Sequence, residues 1–236
     1  LKRNSINYRY FYDTNFNENV LMPSIVAIKS IENQKPEYYF GYEAKQIANS
    51  SYIDEGFCVF YDIKRWVSDH DKAEELTDRL GQRIFVKRKD IINAYLRYII
   101  SEAQNRFKCI IKNIHLSSPI KKQLFFKELF SELLSEFTLV QDMLNENSAV
   151  LYNTISDLIS KNQIKDNVNY KALILDCGGE TTDLCSCTFS VVNQRVSYKI
   201  DIENTYENGD IDFGGNNLTY RIMQILKIYL CKHFSF

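Results

Sequence analysis

Between residues 172 and 203 apolar and polar side chains alternate with a period of two, and "LILDCGGETTDLCSC" (173–187) breaks the alternation with two adjacent glycines. A helix of 3.6 residues per turn cannot hold that pattern on one face, whereas a strand sends successive side chains to opposite faces. Three strands in succession are therefore predicted, over 172–177, 184–192 and 195–203, with a tight turn at 192–194 between the last two. Glycine-rich phosphate loops usually lead from a strand into a helix. Here the alternating run "TTDLCSCTFSV" follows the glycines, so the unit reads as strand–turn–strand. The chain has only 8 glycines, and two side by side mark a turn that needs positive φ or a ligand close to backbone N–H groups. Thr181 and Thr182 add hydroxyl groups, and Asp176 and Asp183 bracket the turn with carboxylates. Carboxylates beside an anion pocket suit a hydrated Mg²⁺ set between them and a phosphate. The competing reading of this stretch is a polar hairpin whose glycines serve turn geometry alone.

Upstream, short strands are predicted at 8–11, 24–29, 38–40 and 83–87, with a short helix over 42–49. Ile91, Ile92, Tyr95, Leu96, Ile99, Ile100 and Ala103 recur at helical spacing, which predicts a helix over 89–107. A strand over 109–119, an amphipathic helix over 120–137, a strand over 138–143 and a helix over 146–161 follow. The polar stretch "KNQIKDNVNY" (161–170) is the best internal boundary. Beyond the three strands, "ENGDIDFGGNN" reads as a loop holding a second adjacent pair, Gly214 and Gly215, and a helix begins near Asn216. Strands mixed with helices in both halves predict an α/β chain of two lobes, 1–163 and 164–236.

Length and composition allow this. The 236 residues are 45% hydrophobic and 25% charged, ordinary for a globular chain with a sizeable core. A net charge of −1 argues against broad electrostatic binding to nucleic acid or to an anionic membrane. No apolar run reaches the ~20 residues of a membrane helix. The six cysteines form no C-x-x-C pair, so reduced thiols in a cytoplasmic protein are expected rather than a zinc site.

Several segments, in order, resemble the nucleotide-binding domain of the seventy-kilodalton heat-shock chaperones, within the actin, sugar kinase and heat-shock ATPase superfamily. "MPSIVAI" (22–28) is similar to the strand after the family's first phosphate loop. "VFYDIKRWVSD" (59–69) resembles its Asp-x-Lys-Arg segment, and "LNENSAV" (144–150) its connecting segment. "LDCGGETTD" (175–183) resembles the second phosphate loop, and "NGDIDFGGNNL" (208–218) the stretch opening the next helix. The resemblance implies an actin-like, ribonuclease H-like ATPase fold that takes ATP or ADP with Mg²⁺. It implies that Asp176 and Glu146 hold Mg²⁺-bound water, that Lys64 sits near the γ-phosphate, and that Asp183 accepts a proton or helps hold the metal. Gly178, Gly179, Thr181, Thr182, Gly214 and Gly215 are implied at the nucleotide. Co-chaperones and client proteins are the implied partners, reached through other domains.

Several departures stand beside the resemblance. The family's opening Asp-x-Gly-Thr-Thr loop has no counterpart in residues 1–21. Glu180 stands where a third glycine is usual, and a non-glycine residue in a turn that wants positive φ costs roughly 1 kcal/mol or more. Asn147 stands where the family has proline, and the adenosine-binding loop expected in lobe two has no counterpart. These departures favour a second possibility, a degenerate relative that acts as a nucleotide-gated or nucleotide-free scaffold. A sugar kinase is more distant, since no sugar-binding acid is found, and so is an actin-like filament protein, which is not expected to carry "YDIKRW" before a long helix pair.

Overall fold

The computed structural model describes residues 11–12, 15, 17–19, 21–50, 58–78, 80–139, 144–179, 181–210 and 213–234. The chain is mixed α/β. In order it forms β1 (Phe11–Tyr12), β2 (Glu18–Asn19), β3 (Val26–Glu32), β4 (Lys35–Phe40), α1 (Gly41–Ser50) and β5 (Cys58–Phe60). A 3₁₀ helix, Ile63–Asp69, leads to β6 (Ala73–Thr77), β7 (Arg83–Lys87), α2 (Arg88–Phe107), β8 (Asn113–Ile114) and β9 (Ser117–Ser118). A 3₁₀ turn, Ile120–Lys122, then precedes α3 (Gln123–Leu133), β10 (Thr138–Leu139), β11 (Leu144–Asn145), α4 (Glu146–Ser160), β12 (Asn169–Cys177), β13 (Thr182–Asn193), β14 (Tyr198–Asp210) and α5 (Gly215–Phe234). These elements fall into two compact units. One comprises Leu1–Ile114 and Phe125–Leu139, the other His115–Leu124 and Val140–Phe236.

In the first unit β3 is the middle strand of the sheet β4-β3-β5. Its run Val26, Ala27 and Ile28 is wholly buried, as befits a strand with a neighbour on each edge. Ile28 and Ile31 share a core with Leu76 and Ile84 of the β6–β7 hairpin. That hairpin is tied by Asp78, whose Oδ1 accepts the Leu80 and Gln82 N–H groups at 2.9 and 2.8 Å. Arg88, at the start of α2, donates to Glu74 at 2.7 Å and pairs with Asp69, its guanidinium 4.9 Å from the Trp66 ring centroid.

The second unit is built on the antiparallel sheet β12-β13-β14. Every second residue of β13, from Asp183 to Val191, is buried on one face. There Leu151 and Ile155 of α4 meet Ile174, Cys185, Cys187, Phe189 and Val191. The period-two alternation is thus the signature of a sheet covered by α4 on that face. A bulge at Ser186/Cys187 leaves Thr205 as an extra residue on β14, and its hydroxyl donates to the Ser186 carbonyl at 3.0 Å.

Several expectations shift. The strand expected over 109–119 reduces to β8 and β9, which lie in different sheets and pair in parallel with β10 and β11 respectively. The helix expected over 120–137 divides into the 3₁₀ turn and α3. Of the strands expected at 8–11 and 138–143, residues 8–10 and 140–143 lie outside the described residues. β5, β6 and the 3₁₀ helix were not anticipated. The expected lobes divide at 163/164, whereas the compact units place α4 in the second, its apolar stripe buried on β12 and β13. The stretch read as a loop from Glu207 is strand through Asp210, since β14 keeps pairing with β13 as far as Thr182↔Asp210.

Candidate functional site

The β12–β13 connection brings the sequence-predicted residues of the second unit together. Cys177↔Thr182 is the last pair of the ladder, and Asp176 lies directly opposite Asp183. Asp183 is in turn opposite Gly209 on β14. Directly opposed residues share a sheet face, here the face that α4 covers. Asp183 is 4% exposed and Asp176 half-buried. Glu146 is the first residue of α4 and Asp176 lies near the end of β12, and α4 packs on the sheet through Leu151 and Ile155.

The turn closes on itself, the Gly178 N–H donating to the Thr181 carbonyl at 2.9 Å. It also docks on the second glycine pair. The Gly215 N–H donates to the Gly178 carbonyl at 2.9 Å and the Asn216 N–H to the Gly179 carbonyl at 2.8 Å. The first N–H groups of a helix lack intrahelical acceptors, and the turn supplies them. The Gly214 N–H donates to Asn217 Oδ1 at 3.1 Å. Thr182 Oγ1 donates to the Phe213 carbonyl at 3.0 Å, whereas Thr181 is buried within the turn. Of the four glycine N–H groups expected at the nucleotide, those of Gly178, Gly214 and Gly215 are therefore engaged within the protein, and that of Gly215 holds the turn against α5. In a trans peptide the N–H points opposite to the preceding carbonyl. Since the Gly178 carbonyl faces α5, the Gly179 N–H faces away from it, and among the described residues no acceptor meets it. Glu180 lies outside the described residues.

Carboxylates are the hard oxygen donors that Mg²⁺ prefers, and Mg²⁺ usually keeps several waters and takes one or two protein carboxylates. Asp176 and Asp183 fit that demand. Among the described residues no group of three or more His, Cys, Asp or Glu side chains is arranged as a metal cage. Burial pushes the Cys185 and Cys187 thiols up, Cys185 further helped by nearby Glu207, so both are packing residues in their protonated form.

Lys64 lies in the first unit, half-buried on the 3₁₀ helix just after Asp62, which is left-handed at φ 54°. Of two further positions of the second unit, Gly209 escaped the sequence reading of the site and Asn147 stood in it only as a departure from proline. Asn147 is completely buried in the first turn of α4, and among the described residues neither Oδ1 nor Nδ2 has a hydrogen-bond partner. Gly209 lies within hydrogen-bonded strand rather than loop. Its signal in the sequence was the "NGD" tripeptide, legible as strand only once the length of β14 is known.

No protein-family model matches the chain, and no curated protein matches it significantly. Among the described residues no helix is long and apolar enough to cross a membrane.

Proposed function

We propose that the chain is the ATP-binding and hydrolysing domain of a heat-shock chaperone-like protein, a cytoplasmic actin-like ATPase. The observation that carries this reading is the pairing of Asp176 with Asp183 beside a glycine turn whose Gly179 N–H faces away from α5. A phosphate oxygen accepting from that N–H has the two carboxylates at the adjoining end of the sheet. Asp176 and Glu146 would hold Mg²⁺ through its bound water, the ion supplying positive charge at the phosphates. Asp183 takes the proton of the attacking water. Thr181 keeps the turn closed through its carbonyl, and Thr182 ties it to residue 213. Lys64 keeps the role that the family resemblance gives it, stabilising the transition state. Client proteins and co-chaperones are reached through other domains.

Isothermal titration of the folded protein with Mg²⁺-ATP tests this reading. Saturable heat is expected, accompanied by a change in Trp66 fluorescence, and Lys64→Ala is expected to lower turnover far more than affinity. No heat at millimolar nucleotide from folded protein would reject the reading. The nucleotide-free scaffold would then stand instead. It draws on a specific observation, the engagement of three of the four glycine N–H groups within the protein.

A further inference from the structure

A glycine inside a paired strand weakens it and calls for a reason, and close approach of another group is a common one. Gly209 has no left-handed φ, unlike Gly41 and Gly81, so backbone freedom is not that reason. Space is. A Cβ built on Gly209 would lie 2.3 Å from Asp183 Oδ1 and 3.3 Å from its Cγ, and 3.2 Å from the Thr182 carbonyl oxygen. The Asp183 carboxylate therefore occupies the volume that a side chain at 209 would fill. β14 and β12 flank β13 on opposite edges. By leaning over Gly209, Oδ1 turns away from the carboxylate of Asp176, its other cross-strand partner. Like charges directly opposite each other in a sheet repel, and the empty position at 209 lets this pair stay apart.

We propose that Gly209 is the positioning residue for Asp183: the missing side chain fixes the carboxylate over β14. A methyl group at 209 forces that carboxylate to rotate out of its slot, with Asp176 on the other side of β13. The consequence for turnover rests on the ATPase reading. The orientation of Asp183 does not.

A double-mutant cycle in the full chain tests the orientation, comparing Gly209→Ala, Asp183→Ser and both together by thermal melting. Gly209→Ala alone is expected to lower the melting temperature by about 3 °C or more. In the Asp183→Ser background, where the carboxylate is gone and only the 3.2 Å approach to the Thr182 carbonyl oxygen remains, the same change is expected to cost clearly less. If Gly209→Ala alone fails to fold, the double variant is expected to restore folding. Equal damage in both backgrounds, or no restoration, would overturn the proposal. Steady-state hydrolysis of Mg²⁺-ATP by Gly209→Ala supplies the second readout. With positioning lost, kcat is expected to fall about tenfold or more while KM changes little. Coupling in the melts together with unchanged kcat would overturn the catalytic part. A wild-type protein that neither binds nor hydrolyses Mg²⁺-ATP would reject the ATPase reading, leaving the melts to decide the role of Gly209.

Discussion

Asp176 on β12 and Asp183 on β13 are direct cross-strand partners on the face of the sheet that α4 covers. Two carboxylates so placed cost stability, which a structural hairpin has no need to bear. Asp176→Asn is expected to raise stability by about 0.2–1 kcal/mol in urea unfolding, the size of a cross-strand charge pair. On the proposed function it also lowers Mg²⁺-dependent nucleotide affinity. A variant less stable than wild type would show that Asp176 is held by favourable contacts.

Asn147 carries two polar atoms in complete burial with no hydrogen-bond partner among the described residues. Removing a buried polar group that makes no hydrogen bond recovers its desolvation cost, so Asn147→Ala is expected to gain about 1–3 kcal/mol. The better helix propensity of alanine acts in the same direction. Thermal melting reads the gain. A loss instead would mean that the amide is engaged in solution.

Arg88 joins three partners, Asp69, Glu74 and the Trp66 ring. Its side chain is 12% exposed, so the hydrogen bonds to charge are only partly screened. Arg88→Ala is expected to cost about 1.5–3 kcal/mol and to change Trp66 emission. Arg88→Lys is expected to recover only part, because an ammonium cannot reproduce the planar fork. Chemical unfolding followed at Trp66 measures both.

Tyr38 is pushed up to about 12 from an ordinary 10.0, chiefly by burial and secondarily by the charge of Asp90. The neutral phenol is favoured in the folded chain. The stability this represents is complete below the unfolded value near 10 and is lost as pH rises from there through about 12. Wild type is therefore expected to lose more stability than Tyr38→Phe between those pH values. Urea midpoints of the two proteins across that range check the difference. Parallel curves would show that Tyr38 titrates normally.

Much of the secondary structure was legible in the sequence, and for a local reason. The alternation over 172–203 marks strands because strand side chains alternate faces. The spacing of Ile91, Ile92, Tyr95 and Leu96 marks α2 because helical side chains recur every three to four residues. β7 falls where its five-residue alternation placed it, and α4 begins at Glu146 as its apolar stripe required. In the site, Asp176, Asp183 and the two glycine pairs stood out because carboxylates and adjacent glycines are scarce within an apolar, alternating run.

Tertiary structure decided the rest. β8 to β11 are two-residue strands that exist only because distant segments pair with them, and two residues carry no period. α4 fell to the second unit because its stripe found the face of β12 and β13, a choice no stretch of α4 encodes alone. The family resemblance implied all four glycines at the nucleotide. Closure of the turn, the Asn217 side chain and the docking of the turn on α5 assigned the N–H groups of Gly178, Gly214 and Gly215, one each, to internal acceptors, since a hydrogen bond is specified by both of its ends. Gly209 likewise read as a loop glycine, and became a slot for Asp183 only when β14 was laid beside β13 and two atoms 26 positions apart in sequence came to compete for one volume.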